Sequence, residues 1–567
     1  MSKGPRIFCC SLIPLVLTFL LLTFAFAKDR EDKSEVTFTS RAELVLVPVL
    51  VTDKQGNHIH GLRKEDFTVL ENNAEQKVVT FEEITSDANR PVHARIPGQF
   101  SNLIAGTPSA NRITLIVLDL INTPFTSQAD ARRGLLKYLS ESLDQREPTA
   151  LYTLSRTGIH VIHDFTVDSR VLVAALHKVK GDTSRMVATP EEMEGLTGSA
   201  SPDGSAGLDP GAVQAEADKL QSMIEDAELN FQSFQQRLAI TYTLEGMQQV
   251  AQALAGFPGR KSLIWASGGF PFSVSDTTMQ LAPAGRDTLS DVLPLYERTW
   301  QLLNDAQVAL YPLDVKGLQV TTLAGSSIRN PGGNFARNMN WRQMDTQAAF
   351  QAFAAMTGGR AYYNSNDLVK GFRDAVHDSS EYYMLGYYLD HSRNQPGWRP
   401  LKVRVKRDHV EVRTRSGFFV TNTTANPDKT RNSDLASAFG SPLDYTSLGL
   451  MAQFGVTEPG KEAGKRRVHY EMHLAADPRL VDETDNNHVV LEFLALTKTP
   501  EGKPVDRPVG QIMNVHVAAN QLPSIQKKGV AYAGGLDLAP GEYTIRFVVR
   551  DDLSGRIGSV AAPLKVE

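Results

Sequence analysis

The residues best placed to do chemistry sit at the ends of apolar runs. Arg112 to Asn122, RITLIVLDLIN, is a β-branched run that ends on a carboxylate, Asp119, followed by the polar pair Asn122-Thr123. A buried strand that delivers an acid to its C-terminal end, with a crossover helix after it, is how an open α/β sheet presents a ligand site. The plainer use of such an acid is to cap a helix N-terminus or to accept backbone N–H groups. A second run, KSLIWASGGF, places Ser267 after a strand and before two glycines. That order suggests a nucleophile elbow. The Gly required two residues before the serine is Trp265, however, and no matching Asp and His follow. The segment therefore reads as a tight turn in which Gly268 and Gly269 permit positive φ. His58 and His60 alternate on one strand face, where they could form a two-His site. No third ligand is evident, and exposed strand histidines are the commoner outcome. Asp482, Asp485, Asn486 and Asn487 make an acidic loop that lacks the EF-hand spacing and its terminal Glu, so it reads as a solvated turn.

These residues must be positioned by an alternation of strands and helices. From Arg112 onward, strands are expected at Ile113–Asp119, Ala150–Ser155, Lys261–Ala266, Val308–Leu313 and Gly359–Tyr363. Helices are expected at Gln128–Leu139, Ser169–Val179, Leu238–Leu254, Leu289–Ala306, Thr346–Met356 and Asn366–His377. Leu244, Met247, Ala251 and Leu254 form a helical stripe. Such alternation predicts an α/β fold with a central, doubly wound, mostly parallel sheet and right-handed crossovers. An insertion at 185–235 interrupts it, first as a small-residue loop and then as an acidic helix running into the next one. A second irregular stretch, Gly317 to Asn340, is rich in Gly, Asn and Arg. In and beside it, Arg329, Phe335, Arg337 and Trp341 are the residue types that anchor interfaces. Before the alternation, residues 36–90 read as a small β unit of Ig-like character, and Ser86 to Ala110 as a linker. After it, 381–420 reads as a β extension packed with the N-terminal unit, 422–436 as a linker, and 441–567 as a β-sandwich.

Composition narrows the function classes. At 567 residues the chain exceeds what one hydrophobic core supports. A net charge of −5 offers no basic footprint, which argues against a nucleic-acid partner. Lys3 and Arg6, the apolar run Ile7 to Phe26 and the small-x-small Ala25-Phe26-Ala27 form an export signal at 1–27, cleaved near Ala27. Its alternative is an uncleaved membrane anchor, since the run is nearly long enough to span. Cys9 and Cys10, the two cysteines of the chain, both lie inside that signal. The mature chain would then have no disulfide, thiolate nucleophile or Cys-ligated metal. An exported protein of this size without disulfides fits a bacterial envelope, and periplasmic, cell-surface or secreted residence is expected.

Several segments together resemble a known family. LVPVLVTDKQGNHIHGLRKEDFTVLEN, LIVLDLINTPF, HDFTVDSRVLVAALHKV, FPGRKSLIWASGGFP, FAAMTGGRAYYNSND and EYYMLGYYLD look like those of the VWFA-related exported proteins of acidobacterial type. The resemblance spans about Val36 to Val420 and implies a von Willebrand factor A-type domain at 111–380, a Rossmann-like sheet. Domains of this type hold a divalent cation through Asp-x-Ser-x-Ser, a Thr on a later loop and an Asp after the fourth strand. By that pattern Asp119 stands at the first Asp and Thr123 at the second Ser, while Thr183 stands at the loop Thr. Ile121 replaces the first Ser and Ser267 the second Asp, leaving Asn122 and Ser267 as peripheral oxygens. A hard dication prefers more carboxylate than this, so any Mg²⁺ or other divalent cation held there would be bound weakly.

The resulting expectation is an exported, non-enzymatic binding or adhesion-type protein with a degenerate cation site, recognising an unknown protein or surface ligand. No catalytic residue and no further cofactor is expected, and a membrane is involved only through an uncleaved signal. The alternatives are a metal-dependent or serine hydrolase of the envelope and a purely structural envelope component.

Overall fold

The period-two patterns at both ends of the chain govern more of the molecule than the helix–strand alternation in the middle. The structure, a computed structural model, describes residues 44–85, 98–103, 113–141, 147–179, 210–275, 278–280, 289–317, 335–378, 381–389, 397–420, 427–482 and 485–567. These residues belong to a single compact unit. The export signal with Cys9 and Cys10, and the small-residue part of the 185–235 insertion, lie outside the described residues.

The first β module comes from two distant pieces of chain. The N-terminal piece supplies β1 (Leu44–Thr52), β2 (Phe67–Glu71), β3 (Ala74–Gln76) and β4 (Thr80–Ile84). Short β5 (Gln99–Ser101) follows. The mixed sheet is built from β6 (Thr114–Asp119), β7 (Thr149–Ser155), β8 (Gly158–Thr166), β9 (Lys261–Ser267) and β12 (Val308–Asp314), with the hairpin β10 (Ser273–Ser275) and β11 (Thr278–Gln280) beside it. Its helices are α1 (Phe125–Glu141), α2 (Ser169–His177), α3 (Pro210–Leu254), α4 (Leu289–Asp305), α5 (Phe335–Thr357) and α6 (Leu368–His377). The chain then returns to the first module with β13 (Tyr382–Tyr388), β14 (Gly397–Val405), β15 (Glu411–Arg413) and β16 (Gly417–Val420). Beyond α7 (Pro427–Gly440) come β17 (Leu450–Pro459), β18 (Arg466–Leu474), β19 (His488–Lys498), β20 (Val509–His516), α8 (Leu522–Lys528), β21 (Val530–Leu538), β22 (Gly541–Asp551) and β23 (Ile557–Val566).

The expected fold class, α/β organised by a doubly wound, mostly parallel sheet, is corrected by these pairings. Strand exceeds helix, 41% against 30%. Among the described residues, five of the six sheets are wholly antiparallel. Parallel pairing is confined to the sheet of order β12-β9-β6-β7-β8, and even there β8 runs antiparallel at the edge. The reason is compositional. Alternating runs such as DFTVLE, YYMLGYY and GEYTIRFVVRD each pair with a near-opposite strand, and together they outweigh the central alternation.

In the mixed sheet, residues alternate between two cores. Leu115, Val117, Leu263, Trp265 and Leu310 face α3, α4 and α5 through Leu244, Met247, Trp300 and Phe353. Ile116, Leu118, Ile264, Tyr311 and Leu313 face α1, α2 and α6 through Leu135, Tyr138, Leu172 and Phe372. A buried strand must therefore be apolar on both sides, which is why LIVL is unbroken. In the first β module, β1 pairs β13 with Val47 opposite Leu385, and β2 pairs β14 with Val69 opposite Val403. That module's core is Val47, Val49, Phe67, Val69, Tyr383 and Leu385.

Three local expectations change. The stretch expected as a linker from Ser86 to Ala110 contains β5, which adds an edge strand to the C-terminal sheet of order β21-β18-β17-β5. Residues 422–436, also expected as a linker, carry α7 from Pro427. The strand expected at Gly359–Tyr363 reduces to one parallel bridge between Leu313 and Tyr362. The turn before it needs its glycines: Gly358 has φ +76°, and a Cβ on Gly359 would lie 1.9 Å from Leu310 O.

The β5 junction rests on one side chain. Buried Asn102 donates from Nδ2 to Tyr445 O at 2.6 Å and Leu448 O at 2.8 Å, and accepts from Leu450 N at 2.7 Å. Asn102→Ala takes their side-chain partner from Leu448 O and Leu450 N, while Tyr445 O keeps the bond from Ser559 N. It is expected to cost roughly 3 kcal/mol in urea unfolding. A loss below about 0.5 kcal/mol would mean the β5 junction carries no stability.

Candidate functional site

Asp119, Ser267 and Asp314 end three adjacent parallel strands at one level, because Leu118 is in register with Ala266 and Asp314 with Ser267. Side chains two residues apart share a face. All three therefore project on the side covered by α3, α4 and α5.

Asp119 is 1% exposed, and donors saturate its carboxylate. Oδ1 accepts from Ile121 N at 3.1 Å and Asn122 N at 3.0 Å. Oδ2 accepts from Asn122 Nδ2 at 2.8 Å and Trp265 Nε1 at 3.0 Å. Ser267 Oγ lies 2.9 Å from the same Oδ2. Burial pushes the Asp119 carboxyl above its ordinary range, while donation from Asn122, Trp265 and Ser267 pulls it back. The turn after β6 is thus folded around its own acid: LDLIN places two backbone N–H groups and an amide where the carboxylate can take them.

The next layer uses the remaining polar atoms. Asn122 Nδ2 also donates to Thr243 Oγ1 at 2.9 Å, which ties the turn to α3. Thr123, 2% exposed, accepts from Gly268 N at 2.9 Å. Ser267 Oγ is 2.6 Å from Gly269 O and accepts from Gly269 N at 3.2 Å. Among the described residues no histidine contacts this hydroxyl, and the carboxylate it donates to, Asp119, already accepts four N–H groups. Gly268 is needed for a reason other than positive φ, which neither it nor Gly269 adopts. A Cβ there would lie 2.9 Å from Asn122 O and from Pro124 Cδ.

The structure therefore joins Asp119, Asn122 and Ser267 in one hydrogen-bonded cluster and seats Thr123 against the adjoining turn. Ile121 is buried in the apolar core. Thr183 and Arg329 lie outside the described residues. Phe335, Arg337 and Trp341 sit in the first turns of α5, which starts at Phe335, well before the Thr346 expected from periodicity; their side chains are not described. Asp314 escaped the sequence reading, although VALYPLD repeats the pattern of LIVLD: an apolar run ending on an acid. Asp314 Oδ1 accepts from Lys316 N at 2.9 Å.

Beside β12, a cleft of about 660 Å³ opens between α1 and α6, lined by Asp130, Arg133, Lys137, Lys316, Asn366 and Asp367 among others. It carries both signs of charge and belongs to the end of the sheet where the Gly317 stretch begins. Farther away, His58, His60 and Glu83 bring ligand atoms within 4.8 Å of one another. The two histidines do not lie in a strand. They belong to the segment after β1, where His58 forms a single bridge with Thr52. Burial, and secondarily the charge of His60, holds the His58 imidazole below its ordinary pKa. Glu83 was missed because a contact across 23 residues leaves no local periodic trace.

Among the described residues, no helix is long and apolar enough to cross a membrane. No family model matches the chain, and no curated protein matches it.

Proposed function

We propose that this chain is an exported, non-enzymatic partner-binding protein in which Asp119 is an internal strut. The observation that carries the reading is the occupancy of both Asp119 oxygens by Ile121 N, Asn122 N, Asn122 Nδ2 and Trp265 Nε1. A carboxylate committed to four N–H donors has little capacity left to ligate a cation or move a proton. The resemblance of its motifs to the VWFA-related family supports partner binding. So do Met223, Phe231 and Phe234, each at least half exposed on the N-terminal part of α3. They fall on one helical stripe, and exposed large apolar side chains that share a face favour a contact site there.

Two measurements test this together. Mg²⁺ and Mn²⁺ are expected to leave the melting temperature unchanged relative to EDTA, and a fluorophosphonate probe is expected to leave Ser267 unlabelled. A Mg²⁺-dependent rise that Asp119→Ala abolishes would replace the strut with a working cation site. Labelling at Ser267 would make the chain a hydrolase.

A further inference from the structure

His58 is the least satisfied imidazole of the first β module. Its side chain is 5% exposed, and among the described residues neither ring nitrogen has a hydrogen-bond partner. Buried polar atoms are almost always paired, so an imidazole with two orphan nitrogens calls for a ligand. Its Nε2 faces Glu83 Oε1 at 3.6 Å, too far for a hydrogen bond. His60 Nδ1 reaches the same Glu83 oxygen at 2.9 Å, and its Nε2 stands 3.6 Å from Glu381 Oε2. Ligand atoms around a tetrahedral Zn²⁺, with bonds of about 2.1 Å, are roughly 3.4 Å apart. The 3.6 Å between His58 Nε2 and Glu83 Oε1 is therefore close to the edge of a coordination tetrahedron.

We propose that His58, His60 and Glu83 bind one divalent transition cation of the Zn²⁺ type. Two imidazoles with carboxylate oxygens suit a borderline metal and discriminate against Mg²⁺ and Ca²⁺. The surroundings hold the ligands in place. The His58 ring stacks on Tyr383 with centroids 5.2 Å apart. Tyr383 OH donates to Ile59 O at 2.7 Å and accepts from Leu62 N at 3.1 Å, which pins the backbone that carries both histidines. Glu83 Oε2 accepts from Gly61 N at 3.2 Å, which orients the carboxylate. Such outer contacts are what make a set of ligands a site.

The three residues come from two parts of the chain, the segment after β1 and the end of β4. A cation there would clip that segment to β4. Three protein ligands leave the fourth position to water, and binding would favour the folded chain.

The test uses the full chain stripped with a chelator. One equivalent of Zn²⁺ is expected to raise the melting temperature reversibly, and one equivalent of Co²⁺ to give the visible absorption of a four-coordinate site. Glu83→Gln and His60→Ala should each weaken Zn²⁺ binding by about tenfold or more and remove the Co²⁺ bands. The His60 side chain is 58% exposed, so His60→Ala should melt like wild type in chelator, which separates lost binding from lost folding. His488 and His516 stack at 4.5 Å and form the competing imidazole pair, and His516→Ala should change nothing. The proposal is overturned if wild type shows no four-coordinate Co²⁺ spectrum. It is equally overturned if Glu83→Gln and His60→Ala bind Zn²⁺ as wild type does, or if His516→Ala removes the binding. Mg²⁺ and Mn²⁺ melting at Asp119 is a separate readout, so either result can fail without the other.

Discussion

Asp119→Ala is expected to destabilise the chain by about 4 kcal/mol and to lower its melting temperature by roughly 4 °C, with or without divalent cation. The magnitude follows from what is left behind. Ile121 N and Trp265 Nε1 lose their acceptor in a buried place, and Asn122 N and one proton of Asn122 Nδ2 lose theirs at a half-buried one. A stranded buried donor costs about 1–3 kcal/mol, and partial relaxation of the turn recovers some of that. Asp119→Asn should be nearly as damaging despite its equal size. It keeps one acceptor oxygen but turns an NH₂ group toward Asn122 Nδ2 and Trp265 Nε1, donor against donor. Trp265→Phe removes a single donor and keeps most of the packing, so it should cost about 1–2 kcal/mol. Urea unfolding of the three variants gives the order. If Asp119→Ala loses less than about 1 kcal/mol, the carboxylate is not a strut, and a role in binding or chemistry regains its claim.

The same residues show which parts of the molecule could be seen in the chain before any coordinates. Arg112 to Asn122 announces a buried strand with an acid at its end, because burial on both faces demands an unbroken apolar run and the exception stands out. What the acid contacts was not visible. Trp265 and Ser267 lie in a strand nearly 150 residues away, and only the parallel register of β6 with β9 brings them to Asp119. The helix pattern was legible where a stripe was clear, as at Leu244, Met247, Ala251 and Leu254. It failed at Phe335 to Asp345, where Arg, Asn and Gln obscure the period. The assignment of fold class failed for a different reason. Antiparallel strands such as β1 and β13 pair across more than 300 residues, and each half reads alone as a modest β unit. Their weight in the whole appears only when the halves are joined. The cluster of His58, His60 and Glu83 follows the same logic: the two histidines are local and readable, whereas Glu83 arrives through β4.

Arg546 is the C-terminal counterpart of Asp119, and Arg546→Met is expected to cost about 3–5 kcal/mol. Its side chain rises from the middle of β22 and is 2% exposed. Nε donates to Ala438 O at 3.1 Å and Nη2 to Ser559 Oγ at 2.9 Å, with further donation to Leu443 O and to the Asp444 carboxylate. The guanidinium thus fastens the end of α7 and the loop after it to the sandwich. That loop continues to Thr446, whose Oγ1 accepts from Gly256 N at 2.7 Å and so reaches the turn after α3. Methionine keeps most of the volume and supplies none of the donors. It also leaves Asp444 without its counter-charge. Burial already pushes the Asp444 carboxyl up, and the charge and hydrogen bond of Arg546 oppose that. With the arginine gone the folded-state pKa must rise further above the unfolded value. A group with a raised folded pKa contributes stability at low pH and loses it as pH rises through that pKa. The penalty of Arg546→Met should therefore be smaller near pH 5 than near pH 8, and Asp444→Asn in the same background should flatten the difference. An equal penalty at both pH values would mean that the water already reaching Asp444, whose side chain is 36% exposed, screens the lost charge. The cost would then lie in the stranded carbonyls of Ala438 and Leu443 alone.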